Sequence, residues 1–306
     1  MGLFKNYESS GSGIPKYAPK KQGIALFFDI LFRKLGKLAG LNALFFIFCL
    51  PLYISFFLML VIDNTKVLLA VQLALFAVFM VTIGPAMAGI TKVIRLFLLE
   101  RHTYIARDFF KGFRENFKKA MVVGVLDVII FISAVSSYIL YPALAIRYDT
   151  KLFYIPLVIT MSLALVVLLM NYYIFLMMTA TDLSMKNLFK NSFALAFAAL
   201  KQNAVSTIFL IFFAVFMVFL FLYVTPFALL IVPFFPMTVI WLIVCFNCYP
   251  VIQKYVINPF YENNGEINPE LLDAADAIDE KTVFEDMGGK EKPIEKRKKG
   301  KGKRIS

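Results

Sequence analysis

Asp127 stands eight residues past Lys119 inside an otherwise apolar run, about 12 Å along a helix if the run is helical. No other acidic residue lies well inside such a run. Burying a carboxylate in lipid costs about 2.5 to 3.5 kcal/mol, so the site demands a partner, a proton or water in a cavity. Two amides fall at similar depth in other runs, Asn171 ten residues before Thr181 and Asn247 seven before Lys254. Gly84-Pro85 sits at the same level, eight residues before Lys92. One reading of this set is a polar chamber open to the cytoplasm. In it Asp127 engages a proton, a cation or a sugar hydroxyl, and Asn171 and Asn247 supply amide groups. The alternative is that all three only hydrogen-bond between helices and hold a bundle together.

Gly84, Pro85 and Gly89 carry a similar pair of readings. Proline removes a backbone hydrogen bond and glycine tolerates a kink, which suits a hinge. The small residues Gly84, Ala86, Ala88 and Gly89 equally suit close helix packing in lipid. His102 is the single histidine and has no companion for a triad or a metal, so it is assigned no role. Cys245 and Cys248 form a C-x-x-C with neither a second ligand pair nor an adjoining βαβ pattern, which leaves no metal or redox site. The chain lacks H-E-x-x-H, G-x-S-x-G, a P-loop and a second aspartate within an apolar run. A non-enzymatic protein without a cofactor is expected.

The elements that must position these residues are membrane spans. Sixty per cent of 306 residues are apolar, 34 of them Phe, more than a soluble core of this size could hide. A bilayer span needs about 20 helical residues. Runs of that length cover 38–62, 67–91, 120–146 and 152–181, and prolines divide the last apolar stretch into spans at 204–224 and 232–253. This gives an all-α polytopic membrane protein with six transmembrane helices. The first run begins too far from Met1 to be an ordinary cleaved signal peptide. Of 32 Lys and Arg, only Lys66, Arg147 and Lys151 lie on the other side of the spans from the rest. Basic residues collect in the cytoplasm, so both termini are expected there. Segments 1–23 and 258–306 then flank a membrane domain at 24–257.

An internal repeat precedes the hairpins. Phe28, Phe32, Arg33 and Lys37 recur as Phe109, Phe113, Arg114 and Lys118, and Phe109, Phe113 and Phe117 recur as Phe189, Phe193 and Phe197. Each repeat reads as an amphipathic helix followed by two spans, so three copies share one orientation. In the middle copy Phe109, Phe113 and Phe117 stack on one face, while Arg107, Lys111, Arg114 and Lys118 line another. Such a helix offers a surface for anionic lipid headgroups or a partner. Alternatively its Phe face packs on the protein's own spans.

The last segment is acidic through Asp286 and then basic from Lys296 to Arg304, which reads as a mostly disordered tail. Confinement of the positive charge to a few segments suits a membrane surface, and no nucleic acid partner is expected.

Three stretches resemble the YesL-like bacterial membrane proteins. They are Lys34 to Pro51 with Asn42, then Ile83-Gly84-Pro85-Ala86 with Ala88-Gly89, Val93 and Arg95, then Asp108-Phe109-Phe110-Lys111 with Phe113, Asn116 and Phe117. The resemblance runs to about residue 200. It implies the cytoplasmic membrane of a bacterium, mainly Gram-positive, but brings no established biochemical activity. Such proteins are often encoded beside sugar-uptake genes. The expected function is therefore assistance or regulation of carbohydrate uptake through association with sugar transporter subunits. The alternative is a secondary transporter of a small solute using Asp127 as its coupling carboxylate.

Overall fold

In the computed structural model the described residues are 22–223, 236–265, 268 and 270. Six helices are long and apolar enough to cross a membrane. They are α2 (Leu35–Leu58), α3 (Thr65–Leu98), α5 (Phe117–Arg147), α6 (Tyr154–Ala180), α8 (Leu200–Tyr223) and α9 (Pro236–Ile252). A shorter helix precedes each pair, α1 (Gly23–Arg33), α4 (Ile105–Glu115) and α7 (Met185–Ala198). The order short, long, long therefore occurs three times, as the repeated Phe spacing requires.

Helices dominate because lipid leaves a backbone N–H or C=O no partner outside its own segment. Their ends are closed by the residues that interrupt the apolar runs. Asn64 caps α3, its side chain accepting from the N–H groups of Lys66 (3.1 Å) and Val67 (3.3 Å). Ser184 likewise accepts from Asn187 N at the start of α7. After α3 and α5 the chain turns through Glu100 (φ 53°) and Asp149 (φ 47°), left-handed positions that stop a helix.

Among the described residues, those through Leu35 and those from Gly36 onward form two separate units. Within the first, α1 carries Phe28 stacked on Phe32, ring centroids 6.0 Å apart, and an Arg33–Asp29 ion pair at 3.5 Å. Within the second, α3 packs against α4, α5, α6 and α9, and α6 also packs against α5, α7 and α9. The apolar core follows from this: Ala86 to Phe97 of α3 and Tyr172 to Met178 of α6 are mostly fully buried.

Two boundaries differ from the sequence expectation. Helix α3 continues beyond residue 91 to Leu98, and Arg95 thereby lies on a helix rather than in a loop. After α9 the chain passes through a π-helical turn, Gln253–Ile257, into α10 (Asn258–Asn263) instead of ending near 253. Pro250 inside α9 removes one rung of the hydrogen-bond ladder just before that turn. The joint between the fifth and sixth spans, with Thr225-Pro226 and Pro233, and most of segments 1–23 and 258–306 lie outside the described residues.

Candidate functional site

Small residues bring α3 and α5 together. A Cβ built on Gly84 would lie 1.9 Å from the backbone oxygen of Ala120, and one on Gly124 would lie 2.6 Å from the Cα of Gly84. Nothing larger than hydrogen fits on either side of this crossing. Gly89 performs the same service for α4, since a Cβ there would meet the Phe109 ring at 2.9 Å. Helix α3 runs unbroken through Pro85. Gly84 and Gly89 thus act in packing, and the hinge reading finds no break in the helix.

This crossing sets Asp127, one turn beyond Gly124, facing α6. Asn171 Nδ2 donates to Asp127 Oδ1 at 2.7 Å. Asn171 Oδ1 is buried and has no hydrogen-bond partner among the described residues. The pair lines a cavity of about 460 Å³ between α2, α3, α5, α6, α8 and α9. Most of its wall is apolar and aromatic, including Phe45, Phe46, Phe175, Phe213 and Trp241. A concave, largely apolar space with a few convergent polar groups is the ordinary form of a small-molecule site.

Asn247 does not belong to this chamber. It lies on α9, where its Nδ2 donates to Ser206 Oγ of α8 at 3.4 Å. This corrects the expectation that three residues of equal depth meet: depth is fixed by sequence position, but the face a helix turns inward is fixed by its neighbours. The Cys245 and Cys248 thiols are buried and free, with Cys248 Sγ 3.8 Å from the same Ser206 hydroxyl. His102 is exposed, its ring 4.8 Å from that of Tyr104.

Asn42, Thr91 and Trp241 also bear on the chamber and carry no sequence signal of a site. Asn42 Oδ1 accepts from the backbone N–H groups of Met237 and Thr238, both at 3.1 Å. Helix α9 therefore starts against α2, inside the bundle, with its first-turn donors satisfied by a side chain from another span. Trp241 Nε1 donates to Thr91 Oγ1 at 2.7 Å, and Thr91 Oγ1 donates to Met87 O at 2.7 Å. The register that pairs Phe28 with Phe189 also pairs Asn42 with Asn203. Asn203 is likewise buried, donating to Ala196 O at 2.8 Å and accepting from the Tyr173 hydroxyl at 2.5 Å. Both amides close helix ends that the bilayer would otherwise leave unsatisfied.

The amphipathic helices divide between the two expected arrangements. On α4, Phe109 is fully buried and, with Phe113, packs on Phe48 of α2 at 5.8 and 5.0 Å between ring centroids. Phe109 is therefore no part of an exposed surface, because the glycine at 89 leaves a hollow that its ring fills. Phe113 and Phe117 are half-buried, while Arg107, Lys111, Arg114 and Lys118 remain exposed. On α7 the equivalent Phe193 and Phe197 are exposed instead.

A second polar cluster stands at the end of the bundle where α3 and α6 finish. Arg95 donates through Nε to Tyr249 Oη (2.9 Å), through Nη1 to Thr179 O (3.0 Å) and through Nη2 to Glu270. Tyr249 Oη in turn donates to Glu270 Oε2 at 2.6 Å, and Gln253 Nε2 donates to the same oxygen at 3.2 Å. Burial pushes the Glu270 carboxyl up, but the Arg95 guanidinium and these hydrogen bonds outweigh it and hold the group below the usual carboxylate range. Sequence reasoning finds no site here, because Arg95 lies beyond the apolar run at 67–91 and Glu270 in the segment read as a tail.

Residues 38–138 match a family model described as "protein of unknown function, DUF624". The matched part runs from α2 into α5 and contains Asn42, Gly84, Gly124 and Asp127, but neither Asn171 nor Trp241. No curated protein and no solved structure matches the chain.

Proposed function

We propose that this is a non-enzymatic membrane protein that binds a small solute within its helix bundle, with Asp127 as the group that engages it in the manner of a secondary carrier. The observation that supports this reading is the cavity at Asp127 and Asn171, with a buried amide oxygen left unpaired beside a carboxylate. Unpaired acceptors in an apolar interior are costly. A protein that needed the two residues only as interhelical glue would gain nothing from 460 Å³ of space around them. Three parallel hairpins around a central cavity also suit alternating access, by analogy with other carriers built from repeats. The distribution of Lys and Arg supports both termini in the cytoplasm.

The test is proton movement in proteoliposomes holding a pH-sensitive dye, challenged with a panel of amines, amino acids and sugars. One solute class should drive proton flux in the unmodified protein, and Asp127→Asn should abolish it. Equal flux in both proteins, or none with any class, overturns the carrier reading.

A second reading, assistance to carbohydrate uptake by docking a sugar transporter, is favoured by the YesL-like resemblance and by the exposed basic edge of α4. Arg107, Lys111 and Arg114 are exposed and offer positive charge to a partner or anionic lipid, although Arg107 also lies 3.8 Å from Asp108 Oδ1 and over the Tyr104 ring. Affinity purification in mild detergent should then recover permease or ATPase subunits, and replacing the three residues with Gln should lose them. Repeated recovery of the protein alone speaks against this role.

A further inference from the structure

The cavity sets one carboxylate, that of Asp127, in a largely apolar and aromatic wall, and we infer that the ligand is an ammonium carried on an apolar body rather than a sugar. The inference rests on the solute-binding reading above and names the class of solute.

The polar side chains of the wall sort by what they still offer. Asn42 Oδ1 is occupied by Met237 N and Thr238 N. Tyr172 Oη is paired with Thr207 Oγ1 at 3.0 Å, and the Trp241 N–H is spent on Thr91. Asn171 has given an N–H to Asp127. What remains is the carboxylate of Asp127, with the Tyr53 hydroxyl and the Cys49 thiol elsewhere on the wall. A carboxylate accepts and does not donate.

A sugar presents many hydroxyls, each both donor and acceptor, and would leave most of them unsatisfied against this wall. An ammonium presents donors only and brings the charge that a carboxylate in an apolar interior lacks. The rest of the lining suits the same partner. The rings of Phe45, Phe46, Phe175 and Trp241 can face a cation or cover its apolar body. The start of α9 would by itself favour an anion through its free N–H groups. Asn42 has already taken the first two of these, which removes the main competitor for that space.

The chain contains one tryptophan, and it lines this cavity. Emission from Trp241 in the purified full-length protein therefore reports occupancy directly. The probes are phenethylammonium, its neutral counterpart 2-phenylethanol, and glucose. Phenethylammonium should change the emission saturably. Asp127→Asn should weaken it about tenfold or more, with Asn171→Leu weakening it less, while 2-phenylethanol should bind both Asp127 forms alike. Melting temperature serves as the check that each variant is folded.

A folded Asp127→Asn that binds phenethylammonium like the unmodified protein overturns the inference. So does tighter binding of 2-phenylethanol. If glucose saturates the signal and phenethylammonium does not, the ligand class falls while the solute-binding reading stands; if no probe gives a saturable change, both fall. Nanodiscs with and without phosphatidylethanolamine separate two sources of the ammonium. Competition by that lipid assigns the site to a headgroup, its absence assigns the site to a free amine, and either result retains the chemistry.

Discussion

Gly84 and Gly124 meet at the α3–α5 crossing so closely that a Cβ on Gly124 would sit 2.6 Å from the Cα and 2.7 Å from the N of Gly84. The contact is backbone against backbone, so no rotamer change can relieve an added methyl. Gly124→Ala should force the helices apart, lower stability by about 1 to 3 kcal/mol and shift the Asp127 side chain relative to Asn171. Gly36→Ala, whose Cβ would meet nothing within 4 Å, is the control. Thermal unfolding in detergent separates them, and equal melting temperatures would contradict the crossing.

Asn42 joins two spans far apart in sequence. Asn42→Leu keeps similar bulk but strands the N–H groups of Met237 and Thr238 in an apolar interior. A loss of about 1 to 3 kcal/mol is expected, read as a lower melting temperature and faster hydrogen exchange at residues 237–240. Unchanged exchange there would mean that α9 is capped by something else.

Glu270 titrates with a sign that can be checked. Its carboxyl is held below the usual value of about 4.3, so the charged form is favoured in the folded state. Its contribution is fully present above that usual value and is lost as pH falls through the lower folded value. Protection of the Glu270 N–H against hydrogen exchange should therefore be flat near neutral pH and fall only below about pH 4.3. Glu270→Gln should remove the acid limb of this profile. It should also destabilise the protein by about 3 kcal/mol, because Arg95, largely buried, keeps its charge without the acid. The double change Arg95→Met with Glu270→Met should cost less than Glu270→Gln alone.

Orientation is open to a direct labelling experiment. A cysteine at Lys111 of α4 should react with an impermeant maleimide only from the cytoplasmic side, and one at Asp63, between α2 and α3, only from outside. Cys245 and Cys248 are buried and should stay silent, with Cys49 replaced by Ala to clear the background. Reaction of both new sites from the same side would overturn the expected topology.

How much of this was legible in the chain depends on whether the cause is local. The six apolar runs and the three basic, Phe-bearing helices follow from hydrophobic length and period, which act over neighbouring residues. Asp127 announced itself because a carboxylate in a lipid-length run is expensive whatever surrounds it. Asn171 and Asn247 looked equivalent by depth, yet Asn171 faces α5 and Asn247 faces α8. Phe113 and Phe193 occupy the same repeat position, yet one is half-buried against Phe48 and the other exposed. Rotation of a helix about its axis is a property of its partners, and one sequence without them does not specify it.

The sequence by itself determined the solvent, the helices, their number and the depth of the one intramembrane acid, because lipid forces every backbone polar group to be satisfied within its own helix. Only the tertiary structure decided which depth-matched residues meet, because close approach of α3 and α5 at Gly84 and Gly124 turns Asp127 toward Asn171 and leaves space beside them. It also drew Glu270 onto Arg95, 175 residues earlier in the chain, since a buried guanidinium needs an acid.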